Sequence, residues 1–137
     1  MSMVVDPSMT IAWLFQDEHA PATQAILRQV VAEGGVVPSL WRLEVADVLR
    51  NAVRRGRCDD AYVDRSLQRL GRLPIETDKE TADHAWNATF ALAREQDLTL
   101  YDAAYLELAI RTGNPLASCG GPLLAAAARR RVKVLAA

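Results

Sequence analysis

Two cysteines, two histidines and two lysines among 137 residues exclude several classes of protein at once. Cys58 and Cys119 are too few for a disulfide scaffold in a chain of this length, so reduced thiols are expected. His19 and His84 stand alone, and no Cys/His spacing of the zinc type occurs. No apolar stretch approaches the ~20 residues that a membrane helix requires. The opening Met-Ser-Met-Val-Val-Asp lacks a basic region followed by an apolar run, so no signal peptide is expected and the cytoplasm is the expected compartment. No Gly-rich phosphate fingerprint follows an early strand, which disfavours a nucleotide-binding domain. The formal net charge of -1 argues against a general basic coat for nucleic acid. Any RNA contact must come from a local patch or through metal ions.

Half of the residues are apolar, enough for a real core and too many for a disordered chain. No repeat, low-complexity tract or Pro/Gly/Ser linker divides the sequence, and one domain over residues 1–137 is expected. Short apolar runs alternate with helical patterns, which predicts an α/β fold with a mainly parallel sheet flanked by helices. The expected strands are Met3–Val5, Val36–Val37, Leu73–Ile75, Leu98–Leu100, Leu116–Ser118 and Val132–Leu135. Helices are expected over Ser8–Phe15, Ala20–Ala32, Leu40–Arg55, Asp60–Leu70, Lys79–Glu95, Tyr101–Thr112 and Pro122–Arg130. Gly34-Gly35, Gly56, Gly71, Gly113 and Gly120-Gly121 supply the stops.

In an open parallel sheet, ligands bind beyond the carboxyl ends of the strands. Asp6, Asp102 and Ser118 are expected at such ends, far apart in sequence but convergent in space. Asp6 before Pro7 also reads as an ordinary helix N-cap with proline at the first helical position. Glu44 borders the apolar stripe of Trp41, Val45, Val48, Leu49 and Ala52. It either snorkels, pairs with an arginine, or ligates a metal, because a charge is rarely buried without a partner. Asp102 lies beside Tyr105, Leu106 and Ala109, and Thr99 with Asp102 has capping-box spacing. Taken together, these acids are hard oxygen donors suited to Mg²⁺ or Mn²⁺, which bind substrate phosphates and retain water ligands.

Three segments carry a family resemblance: Val4-Val5-Asp6-Pro7-Ser8, Val37-Pro38-Ser39-Leu40-Trp41-Arg42-Leu43-Glu44-Val45-Ala46, and Leu100-Tyr101-Asp102-Ala103-Ala104-Tyr105-Leu106-Glu107-Leu108-Ala109. With the following Pro115-Leu116-Ala117-Ser118, the chain resembles a PIN-domain ribonuclease, specifically a VapC-type toxin of a type II toxin–antitoxin system. The resemblance implies a PIN-like three-layer α/β/α sandwich and a Mg²⁺/Mn²⁺-dependent endoribonuclease. It makes Asp6, Glu44 and Asp102 the metal-binding, catalytic acids, with Ser8 and Ser118 as polar supports at the cofactor. It also implies cleavage leaving a 5′-phosphate and a 3′-hydroxyl, a homodimer, and silencing by a cognate antitoxin. The chain departs from the family pattern at one place: a fourth acid is usual after the late strand, and here Ala117-Ser118-Cys119 leads to Gly120. The alternative is therefore a weakened or inactive PIN-fold module that acts through antitoxin or protein binding.

Arg54, Arg55, Arg57, Arg65, Arg69, Arg72 and Arg129–Arg131 are clusters that either track RNA or form solvated helix ends. Trp13, Leu14 and Phe15 read as core or as an apolar groove for a partner. Trp86 and Phe90, four residues apart on one expected helix, read as a core pair. Cys119 has no partnered base, so a thiol nucleophile is not expected.

Overall fold

The computed structural model describes residues 2–136. Its elements are β1 (Met3–Val5), α1 (Pro7–Leu14), a 3₁₀ turn (Gln16–Glu18), α2 (Pro21–Glu33), β2 (Gly35–Val37), α3 (Trp41–Arg54) and α4 (Asp60–Gly71). They continue with β3 (Ile75–Thr77), α5 (Thr81–His84), α6 (Ala88–Gln96), α7 (Leu100–Thr112), β4 (Leu116–Ala117), α8 (Gly121–Arg129) and β5 (Val134–Leu135). The five strands form one sheet in the order β3-β2-β1-β4-β5, and every pair is parallel. β1 is central, with all three residues at 0 % exposure, as a strand covered on both faces requires.

Parallel strands need crossover helices, and right-handed crossovers place α1–α4 on one face and α5–α8 on the other. The packing agrees: α1 touches α2 and α3, α3 touches α4, and α7 touches α6 and α8. The result is a three-layer α/β/α sandwich with a core of buried residues drawn from every layer. Strand order reverses between β1 and β4, the position where such sheets open a crevice at their carboxyl ends. Among the described residues no helix is long and apolar enough to cross a membrane.

Three sequence expectations are corrected. Leu98–Leu100 is not a strand. Asp97 takes the left-handed conformation (φ 53°), Leu98 donates its N–H to Ala93, and Thr99 caps α7 by accepting the Asp102 N–H at 3.1 Å. Residues 97–99 are thus consumed in a tight connection between α6 and α7. The expected strand at Leu73–Ile75 lies two residues later, because Leu73 belongs to the turn that ends α4. The expected helix Lys79–Glu95 is broken into α5 and α6 at Asn87 (φ -112°, ψ -104°). That break changes the aromatic pair. Trp86 turns outward to 91 % exposure and Phe90 is also exposed, so neither is the core residue their spacing predicts. Trp13, Leu14 and Phe15 are buried, as core packing predicts.

Candidate functional site

β1 runs straight into α1 through Asp6, which is 4 % exposed. Its carboxylate accepts the Met9 N–H at 3.0 Å as the N-cap of α1. Capping does not exhaust it. The Ser8 hydroxyl lies 2.7 and 2.9 Å from its two oxygens, and the Ser118 hydroxyl donates to Oδ2 at 2.5 Å. Ser118 reaches it because β4 pairs with β1 in the register Val5 with Ala117, and the Asp6 N–H continues that ladder to the Ala117 carbonyl. The two hydroxyls are 3.3 Å apart, and each accepts a backbone N–H, Cys119 to Ser8 and Gly120 to Ser118, both at 2.9 Å. Ser8 and Ser118 therefore hold Asp6 and are themselves held. Burial raises the Asp6 pKa despite these bonds, and the nearby Asp102 charge adds to the rise.

Glu44 sits in the first turn of α3, half-buried, and accepts the Tyr105 hydroxyl at 2.7 Å. Burial raises its pKa, the Tyr105 bond opposes the rise, and the charges of Asp102 and Asp6 reinforce it. Asp102 lies in the first turn of α7, and burial raises its pKa as well. Its carboxylate has neither a hydrogen bond nor an ion pair among the described residues. The three acids act on one another through charge, Asp6 with Asp102 and Glu44 with both. None forms an ion pair with an arginine or lysine among the described residues. All three stand at the N-terminal end of a helix, where exposed N–H groups favour negative charge but leave the repulsion between the acids uncancelled.

Two supporting residues escape a reading of the sequence alone. Tyr105 is fully buried, and burial together with the Glu44 bond holds its hydroxyl well above the usual range, so it stays a donor. Thr10 donates to the Asp6 carbonyl at 2.9 Å and accepts the Trp41 ring N–H at 3.1 Å, which ties α3 to the residue that carries the first acid. The signal for Tyr105 was its position one turn after Asp102 on an apolar stripe, because a buried tyrosine hydroxyl needs a partner. Tyr105→Phe tests this arrangement. It should cost about 1 kcal/mol of stability and move the Glu44 titration, followed by carboxyl NMR, further upward, because a bond to the charged form has been removed.

The arginine clusters do not line this cleft through ion pairs. Arg57 pairs with Asp17 and Glu18 and covers the Phe15 ring, while Arg130 pairs with Glu95. Burial, with Asp6 and Glu18 nearby, pushes the Cys119 thiol up, so it is poorly suited to act as a nucleophile.

Fitness for a cation follows from these contacts. The donors are hard carboxylate oxygens with excess negative charge and no internal counter-ion, the chemistry that Mg²⁺ or Mn²⁺ relieves. Among the described residues no group of three or more His, Cys, Asp or Glu side chains is placed to hold a metal ion together. Mg²⁺ usually keeps several waters and takes only one or two carboxylates, so its binding does not require three protein ligands.

The architecture is that of an α/β protein with a parallel sheet between helices and three mutually repelling acids at helix N-termini. A PIN domain family model matches residues 3–129, and the chain belongs to the PIN domain family. Among solved structures, PAE2754 from Pyrobaculum aerophilum is similar with a TM-score of 0.68 and 24 % identity, over 92 % of this chain and 84 % of that one. VapBC2 from Rickettsia felis, bound to a DNA fragment from their promoter, is similar with a TM-score of 0.65 and 11 % identity, over 100 % of this chain and 99 % of that one. These two likenesses are likenesses of fold. No curated protein sequence matches the chain.

Proposed function

We propose that the chain is a Mg²⁺- or Mn²⁺-dependent endoribonuclease that acts as the toxin of a toxin–antitoxin pair. The observation that carries this reading is the mutual repulsion of Asp6, Glu44 and Asp102, none of which has an ion pair among the described residues. Membership of the PIN domain family and the fold shared with VapBC2 support it. A bound divalent cation would supply an activated water and neutralise charge on a scissile phosphate. Asp6 is fixed in place by Ser8, Ser118 and the Met9 N–H, and Tyr105 orients Glu44. Asp102 keeps its oxygens available to a ligand. Inhibition by an antitoxin and a homodimeric state belong to the same proposal.

Incubation of the purified protein with single-stranded RNA tests it. Mn²⁺ should produce fragments with 5′-phosphate and 3′-hydroxyl ends, and EDTA should stop their formation. Intact RNA at every Mn²⁺ concentration would contradict the proposal.

Gly120 favours a second reading, a binding module with little catalysis. Its backbone is extended (φ -85°), and a Cβ there would meet only the Ser118 Oγ at an ordinary 3.5 Å. Glycine is therefore not required by local geometry, and a carboxylate at this position has room. Gly120→Asp should leave the fold intact, because Asp is also a good N-cap for α8. If the wild type is an impaired enzyme, this change should tighten Mn²⁺ binding by about tenfold, a gain of about 1.4 kcal/mol, in a calorimetric titration. Unchanged affinity would show that the existing acids already suffice or that the crevice holds no cation.

A further inference from the structure

Of the three arginines that end α8, two are occupied and one is not. Arg129 donates to Gln96 at 2.6 Å and Arg130 to Glu95 at 3.1 Å, both partners lying on α6. Arg131 has no ion pair or side-chain hydrogen bond among the described residues, and neither has Lys133. Both line a cavity of about 340 Å³ at the ends of α7 and α8, together with Arg130 and the apolar walls of Ile110, Pro115 and Val132. Among the described residues no Asp or Glu lines it. Pro115 precedes β4 and Lys133 precedes β5, so the cavity sits at the amino ends of these strands. Asp6 and Ser118 follow the carboxyl ends of β1 and β4, so this cavity is separate from the acids.

The backbone singles out the same residue. Arg131 takes the left-handed conformation (φ 59°). The Val132 N–H reaches the Ala127 carbonyl at 2.9 Å and the Arg131 N–H the Ala128 carbonyl at 3.0 Å, the paired bonds that close a helix on a left-handed residue. Glycine is usual there because a Cβ is strained. Neutralising the helix ends does not account for the cations. Each helix C-terminus presents about half a negative charge, so α7 and α8 together present about one. Arg131 and Lys133 supply two positive charges after Glu95 has neutralised Arg130. The cavity is therefore cationic, with apolar walls. Tracking a nucleic-acid backbone takes a run of cations along one face. With Arg129 and Arg130 turned to α6, no such run forms here. Two cations above apolar walls in a space of this size suit one phosphate and the ring it carries.

We propose that this cavity binds a small phosphate ester with a flat apolar body, of mononucleotide size. Arg131 and Lys133 meet the phosphate, and Ile110 and Val132 pack on the ring. A phosphomonoester carries about −1.5 to −2 charge at pH 7. A guanidinium meets such a group with two parallel bonds. The site is independent of the nuclease reading and stands whether or not the acids hold a metal.

Calorimetric titration of the full chain in EDTA, at about 150 mM NaCl to screen loose surface attraction, tests it. The probes are adenosine 5′-monophosphate, inorganic phosphate and adenosine. The monophosphate should bind once per chain with a Kd below about 1 mM. Inorganic phosphate should bind more weakly, and adenosine not measurably. Arg131→Gly should weaken monophosphate binding by roughly tenfold, the loss of a charge-assisted bond. It should also raise the melting temperature of the ligand-free protein by about 2–4 °C, because the left-handed strain is relieved. A purely structural arginine would not lose a ligand while the fold gains stability. Lys133→Met should weaken the monophosphate to a similar degree and leave the melting temperature unchanged. Both variants should keep wild-type Mn²⁺ affinity. Undiminished monophosphate affinity in Arg131→Gly, or no binding by the wild type at several millimolar, overturns the site. So does a single-stranded oligoadenylate that binds far more tightly than the monophosphate and loses that affinity in Arg131→Gly, since the cations would then serve a nucleic-acid backbone. A dimer that dissociates in both variants overturns it as well, since a carboxylate of a second copy would then fill the cavity.

Discussion

Asp102→Asn is expected to abolish detectable Mn²⁺ binding and to lower RNA cleavage by at least about a hundredfold, since even outer partners of metal ligands commonly cost 10–100-fold. The same substitution should make the metal-free protein more stable. Asp102 is half-buried, its pKa is raised by burial, and it repels Asp6 and Glu44. Removing that charge should raise the melting temperature in EDTA at pH 7.5 by about 1–4 °C. Loss of function with gain of stability is the behaviour expected of a site that holds like charges for a ligand. An Asp102→Asn protein that binds Mn²⁺ as the wild type does would remove Asp102 from the mechanism.

The sign of the pH dependence follows from the same shifts. Asp6, Glu44 and Asp102 all have pKa values raised above those of the unfolded chain. Between the ordinary carboxylate value and the raised one, the folded state binds more protons than the unfolded state. Stability contributed by these groups therefore falls as pH rises through that window. A divalent cation should offset the loss where the acids are ionised. Thermal scans with Mg²⁺ should accordingly show stabilisation at pH 7.5 and little at pH 4. A cation effect equal at both pH values would contradict this account.

Arg111→Met should have the largest effect on stability, about 3–5 kcal/mol. Arg111 bridges two acids with paired bonds: its Nε and Nη2 reach Glu107 at 2.7 and 3.1 Å, and its Nη1 and Nη2 reach Asp78 at 3.1 and 2.6 Å. The Glu107 and Asp78 side chains are only 6 % and 9 % exposed, so removal of the guanidinium leaves two buried carboxylates without a counter-charge. This brace joins α7, which carries Asp102 and Tyr105, to the loop after β3. Burial pushes the Asp78 pKa up, but the Arg111 bond and charge, the Glu80 N–H and the Thr81 hydroxyl together hold it below the usual value. Its contribution is present above the unfolded carboxylate pKa and is lost as pH falls through the lower folded one. Denaturant titrations of wild type and Arg111→Met at pH 7 measure the effect; a midpoint unchanged by the substitution would show that the pair is worth no more than a surface one.

Parts of this molecule were legible in the sequence and parts were not, for identifiable reasons. Met3–Val5 reads as a buried strand because three consecutive apolar residues precede a capping Asp-Pro, and the structure has that strand and that cap. Asp6, Glu44 and Asp102 were expected near one another as metal ligands; in the structure their charges act on one another, their role as ligands stays a proposal, and the strand assigned before Asp102 is a helix connection. The error was harmless because a helix start sits at the sheet edge as readily as a strand end does. Leu98-Thr99-Leu100 misled because a short apolar run carries no periodicity, and the Thr99 cap outweighed it. The break at Asn87 had no Gly or Pro to announce it, so Trp86 and Phe90 were expected on one inward face. The Arg111 brace was invisible because Asp78 lies 33 residues away in sequence and only tertiary packing brings the two together.

Anomalous diffraction from crystals grown with Mn²⁺ would locate the cation directly. The account predicts one peak in the crevice at the β1 and β4 ends, at coordination distance from oxygens of Asp6 and Asp102, with Glu44 bound directly or through one water. A peak elsewhere on the surface, or none in a well-ordered crystal at millimolar Mn²⁺, would contradict it.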